Sequence, residues 1–167
     1  MTSSEPPGNT RPPFASIDMI IATWLGCGLS PFAPGTVGSL GALPAAYAIV
    51  HFGDWPWLAA AVVLVTVIGT WVTASVIASS GIKDPGFVVV DEVAGQWIAL
   101  IPAALDPVLF AVGFAAFRLF DIWKPWPIGW ADRKVGGAWG VMLDDLIAGG
   151  FAAIVVYGVR FFMTGGA

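Results

Sequence analysis

Apolar residues fill this chain in long unbroken runs, and the length of those runs decides what they can be. From Met19 to Gly53 there is no Asp, Glu, Lys or Arg, and from Trp55 to Gly81 there is none either. About 20 helical residues, rising about 1.5 Å each, cross the roughly 30 Å of hydrocarbon in a bilayer. Both runs exceed that length. Segments read between charge clusters fall at Thr36–Phe52, Trp55–Ser80, Asp91–Leu105, Pro107–Asp121 and Trp139–Phe162. The pattern predicts an all-α integral membrane protein of about five hydrophobic helices. The third and fourth are short for complete crossings, so they are expected to tilt or to form a re-entrant hairpin, with Leu105-Asp106-Pro107 turning among the headgroups.

Composition sharpens this picture. Hydrophobic side chains make up 57% of the 167 residues and charged ones 11%, against roughly 25% charged in soluble domains. Residues 1–15 are rich in Pro, Ser and Thr and lack the basic start, apolar core and cleavage site of a signal peptide. They read as a disordered tail, followed by a single membrane-embedded domain over residues 16–163 and a short tail at 164–167. Cys27 is the only cysteine, which excludes an internal disulfide and a thiolate metal cluster. The net charge of -4 lacks the basic footprint of a nucleic-acid binder.

The positions of the charges give an orientation. Arg11, Lys83, Lys124, Arg133 and Lys134 fall on one face, with Arg118 just inside it, while the other face holds Arg160. Lys and Arg in short connections mark the cytoplasmic side. Trp55 and Trp57 on the outer side, and Trp123, Trp126 and Trp130 on the inner, stand where interfacial anchors are expected. This threading brings four distant stretches to the cytoplasmic side: Leu29 to Leu40, Gly81 to Glu92, Arg118 to Lys134, and Asp144-Asp145.

These stretches carry the candidate chemistry. Asp144-Asp145 interrupts an apolar helix, and an ionised carboxylate beside hydrocarbon calls for a partner or a cation. Mg²⁺ suits such oxygen ligands and keeps waters for substrate phosphate; the plainer explanation is a headgroup-level pair ending the segment. Asp91-Glu92 opens the third span, where the helix dipole alone favours carboxylates. Two such pairs at one depth make a metal site that neither makes singly. Arg118, Asp121 and Lys124 are three apart on one helical face ending at Pro125, offering a guanidinium and an ammonium for phosphate. The competing reading is an Arg118 to Asp121 ion pair with Lys124 reaching the headgroups. The Gly/Pro loop from Leu29 to Leu40 leads into a helix and carries hydroxyls at Ser30, Thr36 and Ser39. It can aim donors at an anion, or its hydroxyls can simply cap the helix.

Several phosphatase chemistries lack their residues. Cys27 is followed six positions later by Ala33 rather than Arg, no Asp-x-Asp is present, and the one histidine, His51, lies at the outer end of the first span. Metal-carboxylate chemistry is what remains for a phosphatase.

The ordered stretches LSPFAPGTVGSL, VVVDEVAGQWI, FRLFDIWKPWPIGWADRKVGG and GVMLDDLIAG together resemble the motifs of the phosphatidylglycerophosphatase A family, from Leu25 to about Ala153. The resemblance implies Mg²⁺-dependent removal of the terminal phosphate from phosphatidylglycerophosphate, giving phosphatidylglycerol, in the bacterial inner membrane with the site facing the cytoplasm. It implies that Asp91, Glu92, Asp144 and Asp145 hold Mg²⁺. Arg118 and Lys124, with Ser30, Thr36 and Ser39, would bind phosphate, and Asp121 would join the metal or orient Arg118. Two rivals differ in pattern. A CDP-alcohol phosphotransferase needs a spaced DG-x2-AR…G-x3-D-x3-D motif, absent here, and a transporter would place ionisable residues near the membrane midplane.

Overall fold

The structure is a computed structural model and describes residues 16–165. Residues 1–15, with Arg11 and the expected N-terminal tail, lie outside the described residues, as do residues 166–167. The described chain is helical: α1 (Ile17–Ala22), α2 (Pro34–Ser80), α3 (Val90–Leu100), α4 (Pro107–Trp123), α5 (Ile128–Lys134) and α6 (Gly137–Met163), with 3₁₀ turns at Cys27–Leu29 and Ile101–Ala103.

Helix α2 is two helices joined at Asp54, whose φ of 58° and ψ of -174° break the spiral just before Pro56. The two arms fold back beside each other. Gly38, on the first arm, lies against Val89, and Gly69, about as far beyond the break, lies against Val90. The expected first and second spans are therefore the arms of this hairpin. α2 and α6 are long and apolar enough to cross a membrane by length and composition. α3 has 11 residues and α4 has 17, about 16 Å and 26 Å of helix. The shortness expected of both segments is present, most of all in α3, whose α-helix stops at Leu100 rather than Leu105.

Glycines set how closely the central helices pack. A Cβ on Gly149 of α6 would run into the backbone carbonyl of Gly95 on α3, and one on Gly95 would meet the Asp145 carbonyl at 2.5 Å and the Phe117 ring. Small residues let helix backbones approach in this way, and here they bring the middle of α3 beside the middle of α6. Fully buried Phe117 of α4 packs against Gly95 at that crossing, while Leu100 of α3 lies against Gly113 of α4 and Met142 of α6 against Gly69 of α2. The Trp97 indole donates a 3.0 Å hydrogen bond to the Ala42 carbonyl, tying α3 to the first arm of α2. Ser75 donates to Asp18 at 2.8 Å and ties α1 to the second arm.

Two short helices depart from the sequence reading. α1 forms where no element was expected, capped by Ser16, whose hydroxyl accepts from Met19 N–H. α5 forms in the Pro/Trp stretch between Lys124 and Val135. α6 starts at Gly137, so Asp144-Asp145 sits two turns inside the helix rather than one.

Candidate active site

Where the helix starts of α2, α3 and α6 meet the end of α4, a cavity of about 670 Å³ opens. Its walls come from the α2 start (Pro34, Gly35), the α2–α3 connection (Lys83, Asp84, Gly86), α3 (Asp91, Glu92), the α4 end (Arg118, Asp121, Lys124), α5 (Asp132, Arg133) and α6 (Asp144, Asp145). The four stretches expected to converge do line one space.

The carboxylates divide into two groups. Asp91, Glu92 and Asp145 each turn one oxygen inward so that the three atoms lie within 4.8 Å of one another. Asp144, about 100° around α6 from Asp145, is not one of the three. It faces Lys124 instead, at 2.7 Å, and Lys124 also reaches Asp132 at 2.6 Å. Of the four carboxylates expected to hold a metal, three converge in this way, and Asp144 stands beside them paired with Lys124. Asp121 lines the same cavity, paired with Arg118.

Local backbone features place these groups. Lys124 ends α4 in the left-handed conformation at φ 46°, its N–H bonded to the Phe120 carbonyl, just before Pro125. That turn swings its side chain between α5 and α6. Burial opposes charge on the ammonium, but the hydrogen bonds it donates to Asp132 and Asp144 outweigh it and raise its pKa above the ordinary lysine range. Gly35 matters by its missing side chain: a Cβ there would collide with Glu92 Oε1 and stand 3.2 Å from Arg118 Nη1. Ala33, left-handed at φ 44°, caps α2 with no side-chain hydrogen bond, and Pro34 follows.

Arg118 makes the ion pair foreseen as the plainer alternative, with Nη1 at 2.5 Å from Asp121, and the same nitrogen donates to Ser39 Oγ at 3.4 Å. Its Nε is buried without a partner. Ser39 is fully buried and donates to the Gly35 carbonyl at 2.9 Å. Ser30 and Thr36 are not among the residues lining the cavity; Ser30 donates to the Phe32 carbonyl within its own turn. Neither Thr36 nor Ser39 caps α2. His51 stacks on Tyr47 near the Asp54 end of the first arm, away from the cavity.

The sequence reading did not single out Gly35, Asp84 or Asp132 as wall residues, and counted Lys83 and Arg133 only as markers of orientation. The stretch WADRK, inside the recognised motif, was the available signal for Asp132 and Arg133.

The oxygen donors fit a hard divalent cation. Asp91 Oδ1 and Glu92 Oε2 are buried acceptors with no hydrogen-bond partner, and a cation would supply what each lacks. Carboxylates able to hold such an ion stand beside a guanidinium with a vacant donor, an arrangement that could take a metal and a phosphate ester together.

The comparisons with known proteins identify a family. The model of the family phosphatidylglycerophosphatase A matches residues 20–160. The chain is 41% identical over 139 residues to phosphatidylglycerophosphatase A of Escherichia coli strain K12, covering 83% of this chain and 80% of that protein. It is 34% identical over 146 residues to phosphatidylglycerophosphatase A of Haemophilus influenzae, covering 86% and 89%. A Bacteroides thetaiotaomicron protein named "Putative phosphatidylinositol-3-phosphatase" is 40% identical over 153 residues, covering 87% and 94%. No solved structure matches the chain. The chain belongs to the phosphatidylglycerophosphatase A family and is a phosphatase.

Proposed function

We propose that the cavity hydrolyses the terminal phosphomonoester of phosphatidylglycerophosphate with the help of Mg²⁺, as a step in phospholipid synthesis at the bacterial inner membrane. The observation that carries this reading is the charge of the wall. Seven carboxylates face four cations there, a formal excess of three negative charges, which repels a phosphate dianion unless divalent metal enters with it.

Asp91, Glu92 and Asp145 would hold the ion. When bound, Mg²⁺ supplies positive charge to phosphate oxygens and acidifies water. Arg118 keeps its Nε edge for a phosphate oxygen, because Asp121 and Ser39 draw on Nη1. Asp121 orients that guanidinium. Lys124, held charged by Asp132 and Asp144, fixes the α4–α6 corner and keeps Asp144 turned aside. Ser39 supports Arg118, and Ser30 and Thr36, which do not line the cavity, take no part in this scheme.

The membrane setting is part of the proposal. Single-domain residues 16–163 would span the inner membrane with this cavity at the cytoplasmic headgroup level, where the substrate's phosphates lie. Outward-facing Trp123, Trp126 and Trp130 near the cavity, and Trp55 and Trp57 at the far turn, are exposed as interfacial anchors would be. α3, too short to cross alone, would end inside the bilayer against α4 and α6.

The names of the relatives differ in the lipid headgroup and share a lipid-borne phosphomonoester. Purified protein assayed in mixed micelles should release phosphate from phosphatidylglycerophosphate at least tenfold faster than from phosphatidylinositol 3-phosphate. The reverse preference would reassign the substrate.

A further inference from the structure

Four cations line the cavity, and they differ in whether their charge is already engaged. Arg118 is paired with Asp121, and Lys124 with Asp132 and Asp144. Among the described residues these are all the ion pairs, so Lys83 and Arg133 face the same cavity with no carboxylate in ion-pair reach. That holds even for Lys83, which is next in sequence to Asp84.

The two groups also differ in depth. Arg118 and Lys124 are partly buried, whereas Lys83, on the α2–α3 connection, and Arg133, on α5, are exposed at the rim. The Arg133 arm lies back over its own helix: a Cβ on Gly129 would stand 3.1 Å from Nη1 and 3.5 Å from Nη2. Gly129 is one turn earlier on α5, so its lack of a side chain leaves the guanidinium room beside the cavity wall.

We propose that Lys83 and Arg133 form a subsite for a second phosphate, the phosphodiester of the lipid substrate. This deepens, and rests on, the reading of the cavity as a lipid phosphomonoesterase site. A lipid such as phosphatidylglycerophosphate carries two phosphates. The monoester reacts; the diester joins the headgroup to diacylglycerol. With the reacting phosphate among the buried carboxylates and Arg118, the diester falls toward the rim. Two uncommitted cations there offer positive charge to its single negative one, and an arginine forks onto its two free oxygens. The rim pair then selects lipids bearing a phosphodiester and holds them in register.

Contacts to a group that does not react strengthen binding of substrate and transition state alike, so their loss falls on KM rather than kcat. The test compares wild type with the double variant Lys83→Gln/Arg133→Gln on phosphatidylglycerophosphate in uncharged detergent micelles free of other anionic lipid. KM should rise about tenfold, the scale of one or two partly exposed charged hydrogen bonds, with kcat within about twofold. The charge-keeping variant Lys83→Arg should restore most of the affinity when paired with native Arg133. An unchanged KM in an active, folded double variant overturns the subsite while leaving the phosphatase reading intact, as does a loss confined to kcat. Wild type that releases no phosphate from this lipid with Mg²⁺ present overturns the reading beneath it.

Discussion

Asp144 and Asp145 are neighbours in sequence that face different partners: Asp144 accepts from Lys124 at 2.7 Å, while Asp145 joins Asp91 and Glu92 within 4.8 Å. The two aspartates should therefore respond differently to the same change. Asp145→Asn removes a proposed metal ligand and should lower kcat/KM on the order of 10³-fold. Asp144→Asn disturbs a group acting through Lys124 and should cost roughly 10- to 100-fold. Steady-state kinetics on the two variants, at saturating Mg²⁺, decide the point. Equal losses would restore Asp144 to the metal.

Gly35 tests whether the start of α2 must stay bare for Glu92 to reach the cavity. In Gly35→Ala the new methyl collides with the Glu92 carboxylate, so activity should fall on the order of 10²-fold with helix content retained by circular dichroism. Gly150→Ala is the matched control, since nothing lies within 4 Å of a Cβ there, and its activity should stay within about twofold. Similar losses in both would mean that the Glu92 contact is irrelevant.

Arg118 separates a structural ion pair from a phosphate ligand. Lysine keeps the charge near Asp121 but cannot offer a second nitrogen edge. If Nε holds a phosphate oxygen, Arg118→Lys should lower kcat/KM on the order of 10²-fold, about 2.7 kcal/mol of transition-state stabilisation. A ratio near one would leave Arg118 as the partner of Asp121 alone.

Much of this arrangement was legible in the chain because membrane-length runs and isolated charges are strong signals. The arms of α2 follow from two charge-free runs separated by Asp54, and the break falls on Asp54 itself. The end of α4 follows from Pro125, and the convergence of Asp91, Glu92, Asp121, Asp144 and Asp145 from placing polar stretches at one depth. What the sequence hid is rotation about helix axes. No run length reveals which of Asp144 and Asp145 turns toward α3 while the axis of α6 is unplaced. That axis depends on the contact of Gly95 with Gly149, between residues 54 positions apart, and glycines are common in the chain. α5 was hidden for another reason: its seven residues are too few for a clear periodicity and lie among Pro, Gly and Trp.

The central claim is that the Asp91, Glu92 and Asp145 oxygens make a divalent-metal site for phosphomonoester hydrolysis. The most direct measurement is phosphate release from phosphatidylglycerophosphate by purified protein, stripped with chelator and then titrated with Mg²⁺, alongside Asp145→Asn. The account predicts that stripped wild type is inactive, that Mg²⁺ restores it along a saturable curve, and that Asp145→Asn stays at least about 10²-fold lower throughout. Full turnover in the stripped protein, or a titration curve that Asp145→Asn reproduces, would contradict it.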